Sequence, residues 1–130
     1  MSPKLEHIDH VHINVSNRAA SEIWYRDYLG FVRDSAFEPW VTDKGPLTIS
    51  NNEKSIHLAL FEREDIQNTV IAFKVSAHGL AQWINHLGSK GIHVEAIDHD
   101  LSWSIYFRDL DGNPFEITTY EYNGFKNQVV

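Results

Sequence analysis

The chain has 130 residues, of which 42% are hydrophobic and 12% aromatic, and it carries a formal net charge of −7. This length suits one domain, and this apolar content is enough to form a packed core. The acidic balance argues against a nucleic-acid partner, because such binding needs a basic face. The chain contains no cysteine, which excludes disulfides and thiolate metal sites. No apolar run reaches the roughly 20 residues that span a membrane, and the start MSPKLEHIDH lacks an apolar signal segment, so we expect a cytoplasmic protein.

The first part of the chain reads as strand, helix and three further strands. Alternating apolar residues predict a strand over 8–15, and a cap at Ser16 or Asn17 predicts a helix that Gly30 ends. Strands over 31–37, 47–50 and 55–61 are predicted next, with a loop at 38–46. These elements make a βαβββ module at about 5–61.

The same order of elements follows a polar linker at 62–68. A strand is predicted over 69–76, a helix over 78–90, and strands over 92–97, 103–108 and 115–121, with a DG turn at 109–114. The second module spans about 69–121, and its offset from the first is close to 60 residues. We therefore expect one domain, residues 1–130, built by internal duplication.

Three segments carry a family resemblance: IDHVHINVSN at 8–17, WYRDYLGF at 24–31 and SIYFRDLDGNPFEI at 104–117. Together they resemble the vicinal oxygen chelate superfamily, which includes glyoxalase I, bleomycin-resistance proteins, fosfomycin-resistance enzymes and extradiol dioxygenases. The resemblance implies an α+β fold in which two βαβββ modules form an open, barrel-like cup. It also implies a divalent metal in the cup and a homodimer.

The family places metal ligands on the first and last strand of each module, and the matching positions here are His10, His57, Val70 and Glu116. The repeat offset pairs His10 with Val70 and His57 with Glu116. Two imidazoles and one carboxylate suit Fe, Mn, Co, Ni or Zn as divalent ions, whereas valine binds none. Glyoxalase I has a carboxylate where His57 stands, and extradiol dioxygenases have a histidine where Val70 stands, so neither activity carries over directly.

Side chains two apart on a strand share one face, so His12 and Asn14 are expected on the face of His10. His12 is a candidate general acid or base, and Tyr106 a candidate donor to a developing oxyanion. The candidate substrate-binding residues are Asn14, Ser104, Thr118, Trp40 and Trp103. The alternative interpretation is that the polar side chains among them are hydrogen-bonded on the sheet without meeting a substrate.

The sequence predicts a metal-dependent, glyoxalase-like enzyme whose small-molecule substrate chelates the metal through two oxygens. It does not decide between a lyase, an isomerase, a transferase and a dioxygenase. The alternative is a metal-free drug-binding protein of the bleomycin-resistance type, which Val70 favours. An acidic protein with aromatic loops would suit a cationic aromatic compound.

Overall fold

The computed structural model describes residues 2–65 and 69–129. The chain divides into two compact units, Met1–Gln67 and Asn68–Val130, which we call the first and second units. The linker prediction at 62–68 falls partly outside the described residues. Among the residues that are described, no helix is long and apolar enough to cross a membrane.

The first unit begins with a strand and a helix joined by a capped turn. Its elements are β1 Val11–Val15, α1 Arg18–Trp24 with a π-helical turn Tyr25–Leu29, β2 Val32–Arg33, a 3-10 helix Ser35–Trp40, β3 Leu47–Ser50 and β4 His57–Glu62. The Asn17 side chain accepts from the backbone N–H of Ala20 at 3.0 Å, which satisfies a free donor at the start of α1. Gly30 ends the π-helical turn at φ 74°, a left-handed conformation that favours glycine.

The strands of the first unit form one mixed sheet in the order β1-β4-β3-β2. β1 runs parallel to β4, and β3 runs antiparallel to both β4 and β2. Ile13 and Val15 of β1 are buried together with Leu58 and Leu60 of β4. This alternation puts the intervening side chains on the opposite face of the sheet.

The second unit repeats this plan. Its elements are β5 Ile71–Lys74, α2 Ala77–Ser89, β6 Ile97–Asp98, β7 Trp103–Arg108, β8 Pro114–Thr119 and α3 Tyr122–Val129. The sheet order is β5-β8-β7-β6, with β5 parallel to β8. Ile105, Ile117 and Phe125 are buried in its core. The α+β class and the two βαβββ modules predicted from the sequence are thereby confirmed.

Two of the predicted strands need correction, and one helix was not predicted. The strand predicted over 31–37 is only two residues long, because Asp34 caps the 3-10 helix Ser35–Trp40 and turns the chain out of the sheet. The strand predicted over 92–97 is reduced to Ile97–Asp98. Helix α3 was not predicted, because its residues are mostly polar and, among those from 122 to 128 whose burial is described, only Phe125 is fully buried.

Candidate functional site

One face of β1, continued by the residue before it, carries two histidines. His12 and Asn14 lie opposite the buried Ile13 and Val15, and His10 directly precedes the strand. The Nε2 atoms of His10 and His12 are 3.0 Å apart, and the two rings stack with their centroids 4.9 Å apart. Nδ2 of Asn14 donates to the carbonyl of Asp65 at 2.8 Å. The face of β1 therefore holds two imidazoles in contact.

His57 opens the neighbouring strand at the same level. The parallel ladder pairs Val11 with Leu58 and His12 with Ala59, so His10 and His57 stand one residue before its first pair. Both histidines line one pocket of about 30 Å³. That volume holds an ion or one or two waters. The pocket residues are Asp9, His10, His12, Phe37, Trp40, Pro46, Thr48, His57 and Ala59.

Each of these two histidines has a carboxylate near one ring nitrogen. Nδ1 of His10 lies 2.7 Å from Oδ2 of Asp9, and this hydrogen bond lowers the pKa of the Asp9 carboxyl. Nε2 of His57 lies 3.8 Å from Oδ2 of Asp34. An ionised Asp9 accepts a hydrogen bond from the Nδ1–H of His10, which leaves Nε2 of His10 as the nitrogen with a lone pair, directed at His12.

Asp34 is a functional candidate that the sequence analysis missed. Its side chain is only 3% exposed, and Oδ1 accepts from the N–H of Ala36 while Oδ2 accepts from the hydroxyl of Ser50, both at 3.0 Å. The bond from Ala36 is the main reason that the pKa of Asp34 is lowered, with Ser50, Lys54 and His57 contributing. An aspartate before Ser-Ala is a recognisable helix cap. The sequence analysis predicts a strand through Phe37 and therefore does not identify this cap.

The polar residues of the second unit lie on adjacent strands. The antiparallel ladder pairs Tyr106 with Glu116 and Ser104 with Thr118. Oγ of Ser104 is fully buried and lies 2.8 Å from Oε2 of Glu116 and 2.9 Å from Oγ1 of Thr118. The Thr118 hydroxyl lies 3.3 Å from the carbonyl of Trp103, to which it donates. These four side chains form one polar face with Glu116 as its only carboxylate.

Tyr106 contacts His99, a residue that was not among the predicted site residues. Its hydroxyl lies 2.9 Å from Nε2 of His99, and the two rings meet edge to face. Burial and the nearby Glu116 carboxylate raise the pKa of Tyr106. The tyrosine therefore stays protonated at neutral pH and can donate a hydrogen bond.

The two tryptophans among the candidate substrate-binding residues lie in different environments. Trp40 lines the histidine pocket at the end of the 3-10 helix, with its ring 5.1 Å from that of Phe37. Trp103 is the first residue of β7 and packs against Tyr122 and Phe125 of α3. Side chains alternate along β7, so Trp103 shares the face of the buried Ile105 and lies opposite Ser104. Trp103 thus lies in the strand predicted over 103–108, on the side of that strand that faces the core.

The predicted metal ligands divide between the units, with His10 and His57 in the pocket of the first and Glu116 on β8 of the second. Within the described ranges, no group of three or more histidine, aspartate or glutamate side chains is arranged to hold a metal. The ladders also correct the repeat offset. Glu116 pairs with Ala72, whereas His12 pairs with Ala59. Matched at the offset of 60 between β1 and β5, Glu116 corresponds to Ala59 and not to His57.

Comparisons with known proteins identify the family. Residues 7–117 match the model of the Glyoxalase/Bleomycin resistance protein/Dioxygenase superfamily. A metallothiol transferase FosB of Staphylococcus haemolyticus is 34% identical over 119 residues, which cover 86% of this chain and 82% of that protein. The FosB of Staphylococcus epidermidis is 34% identical over 122 residues, with the same coverage.

Solved structures share the fold at lower identity. An integron cassette protein from the Halifax Harbour sewage outfall metagenome has a TM-score of 0.76 at 22% identity, and the match covers 88% of this chain and 99% of that one. A mutant of the fosfomycin resistance protein FosX of Listeria monocytogenes, complexed with Mn(II) and 1S,2S-dihydroxypropylphosphonic acid, has a TM-score of 0.72 at 13% identity. That match covers 93% of this chain and 97% of the FosX chain. The chain therefore belongs to the glyoxalase/bleomycin resistance protein/dioxygenase superfamily, the group of vicinal oxygen chelate proteins.

Proposed function

We propose that the protein is a metal-dependent enzyme acting on a small molecule that offers two oxygen donors, with His10, His57 and Glu116 as metal ligands. The observation that carries the proposal is the pairing of His10 and His57 in one pocket, at the start of adjacent parallel strands. The identity with metallothiol transferases supports the same chemistry.

The donor set fits a divalent transition metal. Two neutral imidazoles and one carboxylate are ligands that Mn, Fe, Co, Ni and Zn accept. The hydrogen bond from His10 to Asp9 resembles the carboxylate contact that usually orients a metal-binding histidine. A bound ion would polarise a substrate oxygen and stabilise negative charge on it. Glu116, from the second unit, is proposed as the third donor.

The side chains around these donors suit proton transfer and substrate binding. His12 is an exposed imidazole beside His10, and an imidazole can serve as a general acid or base. Tyr106 remains protonated and can donate to a substrate oxygen. Asn14, Ser104 and Thr118 supply further polar groups, and Trp40 supplies an aromatic wall. Trp103 is not included in the proposed substrate-binding residues, because its ring packs against α3.

Among the reaction classes left open by the sequence, we favour group transfer with a thiol as the second substrate. The support is the 34% identity with metallothiol transferases over most of both chains. In such a reaction the thiol sulfur forms a bond to a substrate carbon while a carbon–oxygen bond of the same carbon breaks. His12 would take the thiol proton, and the released oxygen would be protonated in turn, so that no oxidant or reductant is consumed.

The test is the metal content per chain, measured by elemental mass spectrometry after anaerobic loading with each divalent ion and dialysis. We expect near one ion per chain in the native protein and a loss in His10→Ala, His57→Ala and Glu116→Ala. His78→Ala, which removes an exposed imidazole from α2, is the matched control and should keep the ion. Full metal content in the first three variants would contradict the ligand assignment.

One observation favours a second function. Val70 stands where His10 would be repeated in the second unit, so a donor expected from the family is missing. A native protein that retains no ion under any loading condition would support a metal-free, drug-binding protein. Its ligands should then be sought among cationic aromatic compounds, whose binding would quench the fluorescence of Trp40.

A further inference from the structure

A buried carboxylate lies behind one of the proposed metal ligands. Asp34 precedes the 3-10 helix Ser35–Trp40, and its side chain is 3% exposed, whereas the His57 side chain that it faces is 20% exposed. Burying a carboxylate is unfavourable unless hydrogen bonds or charges compensate it. Asp34 accepts two hydrogen bonds, from Ala36 and Ser50, and the ammonium of Lys54 lies 3.9 Å from Oδ1.

Only one of these contacts is needed to hold the backbone. The bond from Ala36 to Oδ1 caps the 3-10 helix, and an asparagine would provide it equally well. Oδ2 instead faces Ser50 and His57, which are opposite each other on β3 and β4. The negative charge of Asp34 is therefore directed at the ring of His57.

This charge favours a proton on Nε2 of His57, the ring nitrogen that faces it. At 3.8 Å the contact between Nε2 and Oδ2 is longer than a hydrogen bond but close enough for a strong electrostatic effect. A protonated Nε2 is attracted to the carboxylate, whereas a lone pair at Nε2 would be repelled. The ring of Phe37 lies edge-on to the ring of His57, with the two centroids 5.6 Å apart, so an apolar group borders this contact.

We propose that Asp34 is a positioning residue that keeps the proton of His57 on Nε2, so that Nδ1 is the nitrogen presented to a metal. The inference rests on the proposed function for the metal, but the protonation pattern itself concerns the metal-free protein. It also predicts an asymmetry between the two histidines. His10 donates its Nδ1–H to Asp9 in a hydrogen bond and would bind through Nε2, whereas His57 would bind through Nδ1.

The experiment compares the native protein with Asp34→Asn and Ser50→Ala. Two-bond ¹H–¹⁵N spectra of histidine-labelled protein, recorded at about pH 8, identify the protonated ring nitrogen. Isothermal titration with Zn(II) gives the metal affinity of the same samples, and thermal unfolding reports whether each variant is folded.

The two variants separate the charge from the packing. In Asp34→Asn the amide NH₂ can face His57 as a donor, so we expect the proton of His57 to move to Nδ1 and Zn(II) to bind about 10–100-fold more weakly. Ser50→Ala removes a buried hydrogen bond to the same Oδ2 but leaves the charge. It should keep the Nε2 proton and a Zn(II) affinity within about threefold of the native value.

Two results would overturn the proposal: an unchanged protonation pattern in Asp34→Asn, or an equal loss of affinity in Ser50→Ala. Failure of the native protein to bind Zn(II) would instead count against the proposed function. In that case the spectra alone decide the role of Asp34, since the metal-free protein should still show the Nε2 proton in the native chain and its movement in Asp34→Asn.

Discussion

The two units share one scaffold but present different side chains on the face opposite their cores. Each sheet joins its first strand in parallel to its last, and each last strand also pairs antiparallel with the strand before it. The large buried apolar residues of the last strands alternate in the same way, with Leu58 and Leu60 in β4 and Phe115 and Ile117 in β8. The scaffold is therefore specified by the core positions.

The opposite faces have diverged. At the offset of 60, His10, His12 and Asn14 of the first unit match Val70, Ala72 and Lys74 of the second. On the last strands it is the second unit that carries the polar side chain, because Glu116 corresponds to Ala59 of the first unit. Positions on the face opposite the core can change without altering the strand register, because the register is fixed by the core face. A duplicated unit can thus keep its fold while imidazoles collect on one copy and a carboxylate on the other.

The largest predicted effect tests whether the cores are equivalent. Leu60→Ala in β4 and Ile117→Ala in β8 remove fully or almost fully buried side chains at matched positions. Each should lower the free energy of unfolding by about 2–5 kcal/mol, because the lost apolar contacts leave a cavity. Urea denaturation of both variants measures this loss. Val32→Ala, at a half-exposed position of β2, is the control and should change stability by less than about 1 kcal/mol. A loss confined to one unit would show that the scaffolds are not energetically equivalent.

The next prediction contrasts the two tryptophans. Trp103→Ala should lower the free energy of unfolding by about 3 kcal/mol, because the ring packs against Tyr122 and Phe125. Trp40 is 54% exposed, so Trp40→Ala should cost less than about 1 kcal/mol while altering the histidine pocket. Thermal unfolding distinguishes the two. Equal destabilisation would mean that Trp40 serves the fold rather than the pocket.

The sequence was a sufficient guide where apolar periodicity and turn residues agree. The strand Trp103–Arg108 has the predicted bounds, and α2 begins one residue earlier than predicted. The segment after β2 was read as strand because Phe31, Val32 and Phe37 favour strands, but the Asp34 cap and Pro39 bend it into a 3-10 helix. The strand propensities of single residues therefore do not predict that this segment leaves the sheet.

The candidate site was harder to predict from the sequence than the secondary structure. The shared face of His10 and His12 follows from alternation alone, and the structure has them in contact. The equivalence of His57 and Glu116 was wrong by two residues, because offsets between weakly similar halves do not reveal the ladder register. Asp34 and His99 were not among the predicted site residues, because their partners, His57 and Tyr106, are brought to them by folding.

A third prediction restores a donor to the second unit. Val70 is half exposed and precedes β5, beside the strand that carries Glu116. Val70→His should tighten Zn(II) binding by about tenfold or more, because an added imidazole ligand increases the stability of the complex. Titration calorimetry measures this change, and Val70→Ala is the control that alters size without adding a ligand. An affinity equal in both variants would remove Val70 from the set of metal positions.

The smallest effect concerns the alkaline stability of the second unit. The hydroxyl of Tyr122 donates to Oδ2 of Asp98 at 2.7 Å, and this hydrogen bond is the main reason that the pKa of Tyr122 is raised to about 12. A raised pKa means that the folded state holds the proton more tightly than the unfolded state, whose tyrosine pKa is about 10. The stabilisation is therefore complete below pH 10 and is lost as the pH rises toward 12. Tyr122→Phe lacks it throughout, so the difference in unfolding free energy between the native chain and the variant should shrink between about pH 10 and 12. Tyr120→Phe, at an exposed tyrosine two residues away, is the control. A difference that stayed constant over this range would show that the hydrogen bond does not stabilise the folded chain.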